Sequence, residues 1–251
     1  MDELKEIETA IKLSRLKGVG AAVFKKLIDE NVLPTQALKV WEKSQCNRKQ
    51  KTICNSKNPT DDLIEKTLDA INQNKFKAFY YGQVGYPSQL NSLTEPPPIV
   101  YLTSEIKNKP LAAVVGSRNS NNDQLEKAKI ITLKLIQDGY GIVSGGAVGV
   151  DKIAHETALS KNAYTIAVLA NGLDIIYPKI HRELFEQIKA KGTLMTELML
   201  GAKPQKGFFP TRNRLIAALS DVIVALPSEE SSGTYITVKW ANKLGKKLIQ
   251  A

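Results

Sequence analysis

Residues 111–160 read LAAVVGSRNSNNDQLEKAKIITLKLIQDGYGIVSGGAVGVDKIAHETALS, and this stretch decides the fold class. It opens on an apolar run, Leu111 to Val115, followed by a small polar turn, Gly116-Ser117-Arg118-Asn119-Ser120. A helical pattern runs from Asp123 to Asp138 and stops at Gly139. Gly141-Ile142-Val143 is a second short strand, Ser144 to Gly149 a glycine-rich turn, and Val150 to Ser160 a second helix. Strand, helix, strand, helix at this spacing is the signature of parallel strands joined by helical crossovers. Apolar runs without alternation belong to strands covered on both faces.

Working outward, the same alternation continues to the end of the chain. Thr165 to Leu169 is a strand, His181 to Lys191 a helix ending at Gly192, and Thr193 to Thr196 a strand. Arg212 to Leu219 is a helix, Asp221 to Leu226 a strand, Thr234 to Leu244 a helix ending at Gly245, and Lys247 starts a last strand. Residues 111–251 therefore read as one α/β domain with a doubly wound, mostly parallel sheet. Residues 1–75 read as a small helical domain. Ile7, Ile11, Leu13 and Leu16 begin an apolar face, and Val23, Phe24, Leu27 and Ile28 continue it after a break at Lys17-Gly18-Val19-Gly20. Pro59-Thr60-Asp61-Asp62 opens a further helix with acidic first-turn residues, and the polar stretch Ser44 to Asn58 between them reads as a loop. Residues 76–110 are a connector with strand-like runs at Phe76 to Tyr81 and Ile99 to Leu102, around a triple proline that neither a helix nor a central strand accepts.

Composition narrows the function classes. The chain has 251 residues, 43% of them apolar and 24% charged, with a formal net charge of +10. Residues 101–251 hold 20 basic and 13 acidic side chains, so most of the excess sits in the α/β part. A basic surface attracts polyanions; a lysine-rich but otherwise ordinary surface is the plainer reading. Cys46 and Cys54 match no common metal spacing, and with two histidines, His155 and His181, a metal enzyme is a poor fit. Two cysteines suit a reducing, cytoplasmic setting. The first residues, MDELKEIETAIKL, form an acidic amphipathic pattern rather than a secretory signal, and no apolar run reaches the length of a membrane span.

In doubly wound sheets, ligands sit beyond the carboxyl ends of the strands. The residues placed there are Gly116-Ser117-Arg118, Ser144-Gly145-Gly146-Ala147-Val148-Gly149, Ala170 to Asp174, and Ser231-Ser232-Gly233-Thr234. Small residues at helix starts let backbone N–H groups approach a phosphate, and Arg118 adds a bidentate donor. Tight turns need the same glycines for steric reasons alone. Neither a dinucleotide fingerprint nor a P-loop is present. The stretch Lys203 to Arg214 mixes Lys203, Lys206, Arg212 and Arg214 with Phe208-Phe209. Cations hold a phosphodiester backbone and aromatic rings stack on unpaired bases. The plainer reading has one ring plugging the core and Arg212 and Arg214 pairing with Glu197 or Asp221, with Asn213 bracing the loop. Asp151 and His155, four residues apart, fit a structural hydrogen bond better than a metal or catalytic pair.

Taken in order, these residues resemble the DNA-processing protein A family (DprA, also called Smf). The resemblance rests on Gly116-Ser117-Arg118, Ser144 to Asp151 with Ala154-His155, Gly172-Leu173-Asp174 with Tyr177-Pro178, Phe209-Pro210 with Arg212-Asn213-Arg214, and Ser232-Gly233-Thr234. It covers about residues 76–250. It implies an extended Rossmann-like domain preceded by a small helical domain of the SAM-like or helix-hairpin-helix kind. It implies sequence-independent binding of single-stranded DNA, help in loading RecA during natural transformation and recombination, a homodimer, and no catalysis, cofactor, metal or membrane attachment. Arg118, Lys206 and Phe209 match the family's DNA-touching positions. Gly116, Ser117, Ser144, Gly145, Gly146, Ala147, Gly149, Arg212, Asn213 and Arg214 complete the implied site. Members continue past the position of Ala251 into a segment that often supports self-association. Leu16 to Leu27 resembles a helix-hairpin-helix, and a plain helix–helix turn fits it as well.

A second reading keeps the fold and changes the chemistry: a nucleotide-binding enzyme or sensor related to nucleoside monophosphate phosphoribohydrolases. Those carry glutamates soon after a glycine-threonine motif. Here Gly233-Thr234 is followed by Tyr235-Ile236-Thr237-Val238, and Glu229 and Glu230 come before it.

Overall fold

The computed structural model describes residues 3–46, 59–226 and 233–250. The chain forms two compact units, Met1–Tyr86 with Thr94–Tyr101, and Pro87–Leu93 with Leu102–Ala251. Among the described residues, the first unit holds the helices α1 (Glu3–Ser14), α2 (Ala21–Asp29), α3 (Pro34–Cys46) and α4 (Pro59–Asn72), then strands β1 (Lys77–Tyr80) and β2 (Ile99–Leu102), which are hydrogen-bonded neighbours. Its core is the apolar stripe of α1, with Ile7, Ala10, Ile11 and Leu13 buried, together with Phe24 of α2. Glu6 is buried beside them because Thr35 meets its carboxylate twice, through Oγ1 at 2.7 Å and the backbone N–H at 3.3 Å. The loop expected over Ser44 to Asn58 lies outside the described residues from 47 onward; residues 44–46 close α3.

The second unit is built on β3 (Leu111–Val115), α5 (Asn122–Gln137), β4 (Gly141–Ser144), α6 (Val150–Ser160), β5 (Thr165–Val168), α7 (Arg182–Lys191), β6 (Thr193–Thr196), α8 (Phe208–Leu219), β7 (Val222–Ala225), α9 (Gly233–Lys243) and β8 (Lys247–Gln250). Six of these strands are parallel and lie in the order β6-β5-β4-β3-β7-β8. Every residue of β3 to β7 is buried, which is why these segments lack the apolar–polar alternation of half-exposed strands. Alternate residues serve opposite faces. Ala112 and Val114 of β3 join Val222 and Val224 of β7 in a cluster with Ala128 and Leu135 of α5 and Ala154 and Ala158 of α6. Leu184, Phe185 and Ile188 of α7 cover β5 and β6 in the same way.

From β3 the chain adds strands in one direction through β4, β5 and β6, then returns to place β7 on the other side of β3. The strand order therefore reverses between β3 and β7, and a reversal of this kind opens a crevice at the carboxyl edge of the sheet.

One boundary differs from the sequence expectation. The helix expected from Arg212 starts at Phe208, so Phe208-Phe209-Pro210 form its first turn. Neither ring is fully buried; both are half-buried, whereas one had been expected to fill the core.

Candidate functional site

The crevice at the β3/β7 reversal is a cleft of about 570 Å³. One wall comes from the turn after β3, Gly116 to Asn119; another comes from the first turn of α9, Gly233, Thr234, Ile236 and Thr237; Lys206, Phe209 and Pro210 close it at the start of α8. Arg118 and Lys206 are both exposed and both line this cleft. The guanidinium carbon of Arg118 stands 5.0 Å from the centroid of the Phe209 ring, a cation–π arrangement that fixes both side chains relative to each other. Arg118, Lys206, the Phe209 ring and a set of small residues thus share one hollow.

The turn between β4 and α6 is shaped by close contacts that any larger side chain would break. Gly149 has φ +81°, and a Cβ added to it would lie 2.4 Å from the carbonyl oxygen of Ser117. This contact joins the turn after β4 to the turn after β3 and so positions Arg118. At Gly145 an added Cβ would lie 2.5 Å from the guanidinium of Arg212.

The glycine-rich turn wraps a carboxyl group that belongs to the chain. The N–H groups of Gly145 and Ala147 donate to Asp151 Oδ2 at 3.1 and 3.3 Å. Asp151, in the first turn of α6, is buried, and burial raises its carboxyl above the usual carboxylate range, with the Arg212 charge and these hydrogen bonds acting against that rise. Arg212 is itself 6% exposed. It donates through Nη1 to the carbonyl oxygen of Gly145 at 2.6 Å and to that of Val168, and through Nε to Asn213 Oδ1 at 3.0 Å. Burial pulls its guanidinium down to about 10 against the opposing pull of Asp151, so it stays charged at neutral pH. Asn213 then donates to the carbonyl oxygen of Gly233 at 2.8 Å, which ties α8 to the start of α9.

The residues expected at the site divide into two groups. Gly116, Ser117, Arg118, Ala147, Lys206, Phe209, Arg212 and Asn213 all line the cleft. Gly145 and Gly146 line a smaller adjoining hollow of about 60 Å³, which also touches Arg118, Ala147, Phe209 and Arg212. Ser144, Gly149 and Arg214 line neither. Ser144 is buried and donates to the carbonyl oxygen of Val114 at 2.7 Å. Arg214 is paired with Glu197, the partner expected for one of the two arginines, and both side chains are largely covered. His155 donates through Nδ1 to Thr165 Oγ1 at 2.8 Å, because that hydroxyl gives its own hydrogen to the carbonyl oxygen of Ile142. Its role is structural, as expected, although its partner is Thr165 and not Asp151. Among the described residues no group of three or more His, Cys, Asp or Glu is placed to hold a metal ion, and no helix is long and apolar enough to cross a membrane.

Sequence reasoning gave Tyr177 no role beyond shaping a turn. It lines both hollows, with its ring 5.8 Å from that of Phe209. Its place in the turn after β5, at the carboxyl edge of the sheet, was the available signal.

Comparison with known proteins points one way. The sequence profile of the family described as DNA recombination-mediator protein A matches residues 77–251. Protein Smf of Synechocystis sp. is 34% identical over 249 residues, covering 93% of this chain and 61% of that protein. The X-ray structure of DNA processing protein A from Streptococcus pneumoniae matches with a TM-score of 0.66 at 27% identity, over 92% of this chain and 86% of that one. The protein of the same name from Helicobacter pylori, solved for its single-stranded DNA binding mode, matches with a TM-score of 0.63 at 32% identity, over 70% of this chain and 81% of that one. This chain spans about three-fifths of the length of the Synechocystis relative.

Proposed function

The chain belongs to the DNA recombination-mediator protein A (DprA/Smf) family, and from that premise we propose that it binds single-stranded DNA without sequence preference and without catalysis. The observation that carries this reading is the convergence of Arg118, Lys206 and Phe209 on one cleft at the β3/β7 reversal. The two cations take backbone phosphates, the aromatic ring takes a base, and neither interaction reads sequence. Gly116, Ser117 and Ala147 let the strand approach the backbone, while Ser144, Gly145, Gly146, Gly149, Arg212, Asn213 and Arg214 hold the cleft in shape.

The reading extends to partners. The resemblance implies handing the bound strand to RecA, in the cytoplasm and during natural transformation, and a homodimer; the family's description as a recombination mediator accords with a part in recombination. A nucleotide hydrolase is the weaker reading, because the Gly145 and Ala147 N–H groups that would receive its phosphate already serve Asp151.

Fluorescence anisotropy with single- and double-stranded oligonucleotides across a salt series tests the proposal. Affinity falls as salt rises, single strands are preferred, and Arg118→Ala and Lys206→Ala each weaken binding to all sequences alike. Each also reduces the slope of log K against log salt by about 0.7, the share of one phosphate contact on a single strand. Unchanged affinity in both variants rejects the site, and equal affinity for duplex rejects the role of the aromatic ring.

A further inference from the structure

We infer that Tyr177 is a second aromatic platform for the bound strand, forming with Phe209 one continuous stacking step. The inference rests on the single-strand reading above and adds a residue to it. The Phe209 ring is half-buried, with Arg118 over it at 5.0 Å and Tyr177 tilted against it at 52° and 5.8 Å. The cation occupies part of the Phe209 surface, and the aromatic surface continues outward on Tyr177, which is 42% exposed. Tyr177 stands where the cleft and the smaller hollow meet, since it lines both.

Isolated exposed rings are common on protein surfaces and mean little. This one differs in being held in place. Asn171 Nδ2 donates to the carbonyl oxygens of Gly172 at 3.0 Å and Ile175 at 2.7 Å. Both carboxylate oxygens of Asp174 accept from the Gly201 N–H at 3.0 Å. The turn that carries Tyr177 is thus fixed before any ligand arrives, and an ordered ring loses little entropy when a base settles on it. A strand whose phosphates lie on Arg118 and Lys206 presents its bases to this pair of rings, and every base has a π-face to offer.

The experiment compares an oligothymidylate with an abasic oligonucleotide of the same length, so that phosphates are constant and bases are not. The wild-type chain prefers the base-bearing strand by about tenfold. Tyr177→Ala lowers that preference by about threefold, the share of one of two rings, while Phe209 keeps the rest and the affinity for the abasic strand and the melting temperature stay at the wild-type values. Tyr177→Phe keeps the preference, because the ring and not the hydroxyl is the platform. Arg118→Ala weakens both probes by a similar factor. A Tyr177→Ala chain that retains the base-over-abasic ratio overturns the inference while leaving the cation site standing. A wild-type chain that binds neither probe overturns the parent reading, and this inference with it.

Discussion

Arg212→Ala tests whether the floor of the cleft is held by charge. The guanidinium is almost wholly buried and bonded to Gly145, Val168 and Asn213, and it faces the buried carboxylate of Asp151. Truncation leaves those acceptors unpaired and the carboxylate uncompensated. Stranding buried acceptors and a buried acidic group from one side costs about 3–5 kcal/mol. For a unit of this size that corresponds to a fall in melting temperature of roughly 6–20 °C. The loss carries a pH signature. Burial already raises the Asp151 carboxyl, and Arg212 opposes the rise; without Arg212 the carboxyl rises further. The native state then binds a proton that the unfolded chain releases, so stability falls as pH rises between the unfolded and native values. Thermal melts at pH 5 and pH 8 read this directly: the variant loses more at pH 8. Adding Asp151→Asn to Arg212→Ala restores part of the stability and removes the extra loss at pH 8. Equal losses at the two pH values, or a fall of under about 3 °C at pH 8, would refute the reasoning.

Two further variants probe the same unit. Gly149→Ala forces a side chain into a left-handed backbone against the Ser117 carbonyl oxygen; it costs about 1–3 kcal/mol by strain alone, seen in denaturant titration, and lowers strand affinity by displacing Arg118. His155 is pulled down to about 3 by burial, with His181 and Arg212 acting in the same direction. The unfolded chain therefore takes up a proton below about pH 6.5 that the folded chain refuses. Its contribution is complete above that pH and is lost as pH falls toward 3, so His155→Gln shows a flatter decline in denaturation midpoint than wild type between pH 6.5 and 4.

The sheet was legible because its chemistry is local. Runs such as Leu111 to Val115 and Val222 to Ala225 are apolar throughout, and burial on both faces leaves no other reading. The start of α8 was not legible, because Pro210 looks like a breaker. It occupies the third helical position, where its missing N–H costs no hydrogen bond. Depth was hidden too. Arg118 and Arg212 are both cations near small-residue turns and both line the cleft, yet one is exposed and the other is buried in its floor, and sequence spacing does not record how deep a side chain sits. The glycines at 145 and 149 were read as a seat for phosphate. Their tight contacts are with Arg212 and Ser117, and those partners lie 67 and 32 positions away in the chain. Local chemistry already marks Arg118 and the stretch Lys203 to Arg214, and the ordered motif set narrows the expectation to Arg118, Lys206 and Phe209.

The carboxylate seated on the N–H groups of residues 145 and 147 has a wider consequence. The two amide groups are satisfied from within, by a side chain of the same domain. Any ligand in the neighbouring groove would meet that seat already taken.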